Sequence, residues 1–198
     1  DDYYDDKNRS DLHFIHNWKI NNQWSTNLEY NYASDKDYFA DFNNNPNTRT
    51  DLNLRRAWEL NYRNGIPGLK AQLKVEDFQT LDKTIDDKDK PYARLPQFLL
   101  NYVGGDPQGL QYEFNNDTAY FKKSISDQSA LESSGTRIYN QFAVRYNYLT
   151  PSWFYAVPEI SIRSINTFYD QDSKEGRGLS ASDDLEKSVA VPQFTFAT

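Results

Sequence analysis

Between Leu12 and Tyr32 the chain alternates apolar and polar residues with a period of two, a pattern that few folds satisfy. One parity holds Leu12, Phe14, His16, Trp18 and Ile20, then Trp24, Thr26, Leu28, Tyr30 and Tyr32. The other holds Asp11, His13, Asn17 and Lys19, then Ser25, Asn27, Glu29 and Asn31, with Ile15 as the one apolar intruder. Successive side chains of a strand point to opposite faces, so each run reads as a strand with one apolar and one wet face. Asn21-Asn22-Gln23 between them reads as a hairpin loop. Both apolar sets fall on even numbers and share a face only across a loop with an odd number of residues. That pairs Ile20 with Trp24 and Phe14 with Tyr30, and calls for a left-handed asparagine in the loop.

The rule repeats. A strand over 50–62 places Leu52, Leu54, Trp58, Leu60 and Tyr62 on one face, and Asn64-Gly65-Ile66-Pro67-Gly68 turns it into Leu69, Ala71, Leu73 and Val75. Phe98, Leu100 and Tyr102 return through Gly104-Gly105-Asp106-Pro107 into Leu110, Tyr112 and Phe114. Ile138, Phe142, Val144, Tyr146 and Tyr148 follow, then Ala156, Ile160 and Ile162, and Val189 to Phe196 begins about a ninth strand. Polar stretches over 34–48, 80–90, 122–136 and 171–187 separate the hairpins, so connections alternate strictly between short and long. Soluble sandwiches mix loop lengths more freely, whereas outer-membrane barrels have short turns at one end and long loops at the other. Aromatics near the short turns (Trp18, Trp24, Tyr62, Tyr102, Tyr148, Trp153) sit where an interfacial girdle belongs. The fold expected is all-β: an antiparallel up-and-down transmembrane β-barrel, of which about nine strands are present and the rest lie outside the chain. A general porin or nutrient-transporter barrel, and a soluble carbohydrate-binding β-protein, share the same periodicity.

On this reading Leu12, Phe14, Trp18, Trp24, Leu28, Tyr30, Leu52, Leu54, Leu69, Leu73, Val75, Phe98, Leu100, Tyr112, Phe142 and Val144 face lipid. Arg56 falls on the same parity, where a mid-membrane Arg costs roughly 2–4 kcal/mol. It must snorkel toward the headgroups, or a bulge at Arg55-Arg56 must turn it inward. The repeated Leu95-Pro96-Gln97-Phe98, Val157-Pro158-Glu159-Ile160 and Val191-Pro192-Gln193-Phe194 point to breaks in pairing, because proline removes a ladder donor.

Composition narrows the chemistry. Tyr 15 and Phe 12 in 198 residues argue against disorder, and no apolar run approaches the roughly 18 residues of a membrane helix. A net charge of -7 with no basic cluster argues against nucleic acid. Without cysteine there is no thiolate site, and the chain starts without Met, as a processed piece would. No catalytic constellation, cofactor motif or specific metal site emerges, so no enzyme is expected. His13 and His16 have opposite parity and point to opposite faces. The acidic groups Asp35, Asp37 and Asp41, and Asp86, Asp87 and Asp89, offer Ca²⁺-type oxygen ligands but lack the loop pattern such a site needs, and read as solvated loop charge.

Ser34-Asp35-Lys36-Asp37-Tyr38-Phe39-Ala40-Asp41-Phe42 resembles a loop of the LPS-assembly outer-membrane family LptD, through its Ser-Asp, Tyr-Phe and Asp-Phe pattern. Phe78-Gln79, then Pro91-Tyr92-Ala93-Arg94-Leu95-Pro96-Gln97, Gly135-Thr136-Arg137 and Val191-Pro192-Gln193-Phe194, are similar to that family's segments in the same order. The resemblance implies a large barrel in the outer membrane of a Gram-negative bacterium, with outer-membrane lipids around it and a lipoprotein plug in its lumen. It also implies a periplasmic transport bridge that supplies lipopolysaccharide for insertion into the outer leaflet. The family's periplasmic domain and the barrel strands that form the lateral exit are expected to lie outside this chain.

Overall fold

The structure, a computed structural model, describes residues 8–42, 53–123, 134–149, 155–170 and 189–197. Its strands are β1 (Asp11–Lys19), β2 (Trp24–Ala33), β3 (Asn53–Tyr62), β4 (Leu69–Thr80), β5 (Ala93–Gly105), β6 (Leu110–Lys122), β7 (Gly135–Tyr146), β8 (Tyr148–Leu149), β9 (Tyr155–Tyr169) and β10 (Val189–Ala197). A one-turn helix, α1 (Tyr38–Phe42), follows β2. All strands join one sheet in the order β1-β2-β3-β4-β5-β6-β7-β9-β10, with β8 pairing β9 alongside. Every pairing is antiparallel between sequence neighbours, apart from the step past β8, so the path is an up-and-down meander. Among the described residues no ladder joins β1 to β10, and the sheet is open.

The ladders put the alternate residues of different strands on one face. Partner to partner, His16 leads to Leu28, Trp58 and Val75, and Trp18 leads to Thr26, Leu60, Leu73, Phe98, Thr118 and Ile138. Phe14 opposes Tyr30 as the parity required. The left-handed asparagine expected in the first loop is absent: the left-handed non-glycine residue among those described is Asn64, in the next short turn. In the first loop the Asn21 side chain does the turning, because its Oδ1 accepts from the backbone N–H of Gln23 and of Trp24, both at 2.8 Å.

Burial is the reverse of that in a soluble sheet. Leu12, Phe14, Trp18, Trp24, Tyr30, Trp58, Val75, Phe98, Tyr112, Phe142, Ile160 and Ile162 are exposed, Trp18 by 56%. On the opposite face Asn31, Asn61, Lys74, Glu76, Gln97 and Ser161 are buried, together with Ala57, Ala119 and Ala143. With no second sheet among the described residues, the sheet buries one face by curling toward it, which crowds the side chains on that side. The small Ala57, Ala119, Ala143 and Ser161 meet that crowding.

Of the three proline sites, one interrupts pairing. β5 carries an extra residue at Leu95-Pro96 relative to both β4 and β6, a bulge that brings Arg94 opposite Glu76 and Gln97 opposite Lys74 on the same polar face. Pro158 and Pro192 keep regular register with Phe196 and Ile162.

In β3 one of the two alternatives for Arg56 falls away, and the expectation for Leu54 is corrected. The strand's register is unbroken at Arg55-Arg56 on both sides, so no bulge turns Arg56 inward. Arg56 stays on the apolar face with its guanidinium carbon 5.3 Å from the Tyr30 ring centre and 5.7 Å from that of Tyr32. Its Nε donates to the Asn31 carbonyl at 3.0 Å and its Nη2 to Gln79 Oε1 at 2.6 Å. The β2–β3 ladder ends at Tyr30–Arg56, and the Gln79 amide then replaces the missing strand. It accepts from Ala33 N–H at 3.2 Å and donates to Ala33 O at 2.6 Å. Leu54, expected on the exposed face, is 0% exposed: it packs with Ala33 and Leu81 beneath Tyr38 and Phe39, because α1 folds the long loop back over it. Leu52 lies outside the described residues.

Gln79→Ala strands the Ala33 backbone and one Arg56 donor, and an unsatisfied buried group costs about 1–3 kcal/mol. Urea unfolding of the full-length protein in detergent is expected to show a loss of that order, and a smaller one for Gln79→Glu, which keeps the acceptor. Unchanged stability of Gln79→Ala would remove the bridging role.

Candidate functional site

The polar face carries two groups of side chains that the strands bring together. The first centres on Glu76 of β4, whose side chain is 6% exposed. The ladder places Glu29, Ala57, Glu76 and Arg94 in one row and Glu59 opposite Lys74 in the next. Arg55 Nε donates to Glu76 Oε1 at 2.7 Å, its Nη1 to Glu29 Oε2 at 2.8 Å and its Nη2 to Glu59 Oε1 at 3.0 Å. Lys74 Nζ and Arg94 Nη1 approach Glu76 Oε2 at 3.3 and 3.0 Å. A buried carboxylate is costly unless paired and hydrogen-bonded, and here three cations from three strands meet it. Asn31 extends the group, donating to Glu29 Oε1 at 2.8 Å and to Arg55 O at 2.6 Å while its Oδ1 lies 2.5 Å from His13 Nδ1. His16 lies on the other face, stacked against Phe14 with ring centres 6.3 Å apart.

The second group is built of amides. Gln72 donates to Asn61 at 2.7 Å, Asn101 to Asn115 at 2.6 Å, and Asn115 to Glu113 at 2.8 Å, where Arg145 Nη2 also donates at 2.5 Å. Gln97 donates to Asp117 Oδ1 at 2.7 Å, and Tyr139 OH to Gln141 at 2.9 Å. Between these side chains lies a hollow of about 750 Å³ whose lining comes from β3 to β7. The arrangement offers hydrogen bonds and charge over a broad concave wall. It holds no nucleophile with a positioned base, and the described residues contain no cluster of three or more His, Cys, Asp or Glu that could hold a metal.

The opposite face is the apolar surface already described, with aromatic pairs toward the short turns. Trp24 and Tyr62 lie 4.9 Å apart and Tyr102 and Tyr112 5.9 Å apart. Of the residues expected to face lipid, all but Leu52 and the covered Leu54 lie on this surface by ladder register. Trp153 lies outside the described residues. No helix among the described residues is long and apolar enough to cross a membrane, which says nothing of strands.

At the long-loop end, the 34–42 segment is clasped to the start of β1. Arg9 grips Asp35 with two bonds, Nε to Oδ2 at 2.8 Å and Nη2 to Oδ1 at 2.6 Å, and reaches Asp41 Oδ2 through Nη1 at 2.7 Å. Lys83 holds Asp37 at 2.5 Å. The acidic cluster is thus ion-paired, where the sequence reading had solvated charge. Asp87 is likewise held, by Lys90. The motif residues Tyr38 and Phe39 cover Leu54, Asp41 takes Arg9, Gln79 bridges to Ala33, and Pro96-Gln97 forms the β5 bulge. Nothing in the sequence pattern alone signalled the Arg55–Glu76 convergence, which needs residues from four strands.

Comparison with known proteins places these features. The profile of the family described as LPS transport system D matches residues 7–197. A curated protein of Acinetobacter baumannii, named LPS-assembly protein LptD, is 72% identical over 198 residues, covering 100% of this chain and 24% of its own length. Proteins of the same name from Acinetobacter baylyi and Psychrobacter cryohalolentis are 66% and 40% identical, over 100% and 98% of this chain and 24% and 20% of their own lengths. The chain therefore spans about a quarter of the length of such relatives.

The Arg9 guanidinium holds the Asp35 carboxyl below the usual carboxylate range against partial desolvation, helped by the Ser34 hydroxyl and the Asp37 N–H. A lowered folded-state pKa means that the clasp contributes fully above the unfolded value of about 4 and is lost as pH falls through the lower folded value. Spin labels at Asn8 and Lys36 in the full-length protein should keep one narrow distance from neutral pH to about 4 and spread below it. Spreading already at pH 6 would refute the clasp.

Proposed function

This chain belongs to the LPS transport system D family, and on that premise we propose that it forms part of the wall of an outer-membrane β-barrel that inserts lipopolysaccharide into the outer leaflet. One observation carries the reading: a continuous exposed apolar face runs across the sheet opposite a buried polar one. In water that arrangement is unfavourable, since burying apolar area is worth roughly 25 cal/mol per Å². In a bilayer it is the stable one, with acyl chains against the aromatic face and a wet lumen against the Glu76 and amide groups. β3 to β7, of 10, 12, 13, 13 and 12 residues, meet the roughly 9–11 that a tilted membrane strand requires.

Other parts of the structure take roles in this setting. The aromatic pairs near the short turns lie at the periplasmic interface, and the clasped 34–42 segment lies outside the cell. Arg56 reaches the backbone and Gln79 toward that outer end, which is how an Arg on a lipid face escapes hydrocarbon. The open edges of β1 and β10 pair with further strands of the same barrel, because an unpaired edge in hydrocarbon costs several kcal/mol per group. A lipoprotein plug sits against the polar face, and a periplasmic bridge delivers lipopolysaccharide to it. The chain itself carries no reaction.

Spin labels at Leu28 and Asn27 of the full-length protein in bilayers test the wall. The Leu28 label should be relaxed more by a lipid-soluble agent and the Asn27 label by a water-soluble one, and the reverse would overturn the face assignment. Depletion in the native host tests the activity: new lipopolysaccharide should accumulate short of the outer leaflet. Normal surface lipopolysaccharide with reduced uptake of small solutes would favour a porin.

A further inference from the structure

Charge on the apolar face is confined to one level. Among the described strand residues, ladder register puts three charged side chains on that face, Arg56, Asp77 and Lys122. Arg56 pairs with Tyr30 on one side and with Asp77 on the other. Glu76 opposite Arg94 brings Ala93, the partner of Lys122, beside Asp77. All three therefore lie in one row at the long-loop end, and the next row inward holds Leu28, Trp58 and Val75.

Arg56 is the member of that row that the fold fixes in place. Its Nε and Nη2 are tied to Asn31 O and Gln79 Oε1, and the Tyr30 and Tyr32 rings flank its guanidinium. An arginine has five N–H donors, so both Nη1 donors and one on Nη2 are left without a partner among the described residues. Asp77, its neighbour in the ladder, is exposed and forms no ion pair with it. The Tyr30 and Tyr32 hydroxyls are likewise unpartnered, on rings exposed by 38% and 37%. A held guanidinium fork matches phosphate or carboxylate bidentately, and two phenol donors beside it suit the same ligand. Below lies apolar surface, so the ligand that fits both parts is amphipathic, with chains along Leu28 and Trp58 and an anionic head at Arg56. Asp77 repels such a head, which places it on the Tyr30 and Tyr32 side.

We propose that Arg56, Tyr30 and Tyr32 form a binding site for the phosphate headgroup of a bilayer lipid lying against the outside of the sheet. The site rests on the barrel-wall reading, which puts this row at the level of the outer headgroups. Arg56 then does more than escape hydrocarbon: it holds one lipid by its phosphate and fixes the height of the wall in the leaflet. Lys122, beyond Asp77 in the same row, adds to the positive field without touching that lipid.

The test uses the full-length protein with its natural partner, purified in a phosphate-free maltoside detergent and carrying benzoylphenylalanine in place of Trp58, one row inward of Arg56. The probes are dioleoyl phosphatidic acid and dioleoylglycerol, which differ only in the phosphate. Photolabelling should saturate with phosphatidic acid and be about tenfold weaker with dioleoylglycerol, the effect of losing charge-assisted hydrogen bonds. Arg56→Gln should give a similar fall. Asp77→Asn leaves the Arg56 contacts in place and should raise phosphatidic acid labelling about twofold, because it removes a repelling carboxylate. Equal labelling by the two lipids, a fall with Asp77→Asn, or full displacement by millimolar inorganic phosphate would overturn the site. A second photoprobe at Asn27, on the polar face, separates this site from the wall assignment. Lipid labelling at 27 with none at 58 would sink the barrel wall itself, whereas equal labelling by both lipids at 58 alone leaves the wall standing and removes the phosphate site.

Discussion

The backbone ladder between adjacent strands is the interaction on which everything else depends. Among the described residues no second sheet packs on either face, and the buried apolar cluster is small, Ala33, Leu54 and Leu81 under Tyr38 and Phe39. What transmits order from β1 to β10 is register. A slip of one residue in any ladder would move that strand's aromatics to the polar side and its charges to the apolar side. The β5 bulge at Leu95-Pro96 is the one place in β5 where parity changes, and the change delivers Arg94 to Glu76.

Because packing cannot hold such a sheet together, polar side chains do part of that work. Arg55 ties β2, β3 and β4 through Glu29, Glu59 and Glu76, and Gln79 of β4 reaches across β3 to the backbone of Ala33. A buried ion group is seldom a net gain over apolar packing. Here it lies among other buried polar side chains, Asn31 and Gln97 included.

The two faces of the sheet differ in kind, one apolar and exposed, the other polar and largely buried. The loop at the long-connection end is also explained. Arg9 clasps Asp35 and Asp41, and Tyr38 and Phe39 pack against the Leu54 cluster.

The sequence alone determined the strands, their antiparallel order, the alternation of short and long connections, and which side chains share a face. A period of two is a local property, so Phe14 opposite Tyr30 was legible from parity without any knowledge of the fold. Only the tertiary structure decided which face is buried, that Arg56 stays on the apolar side, that Leu54 is covered by α1, and that residues of four strands gather around Arg55 and Glu76. Those outcomes depend on the curvature of the sheet and on contacts between residues 20 to 50 positions apart, such as Gln79 with Ala33. Periodicity carries no record of either, because it fixes the direction of a side chain and not what waits there to meet it.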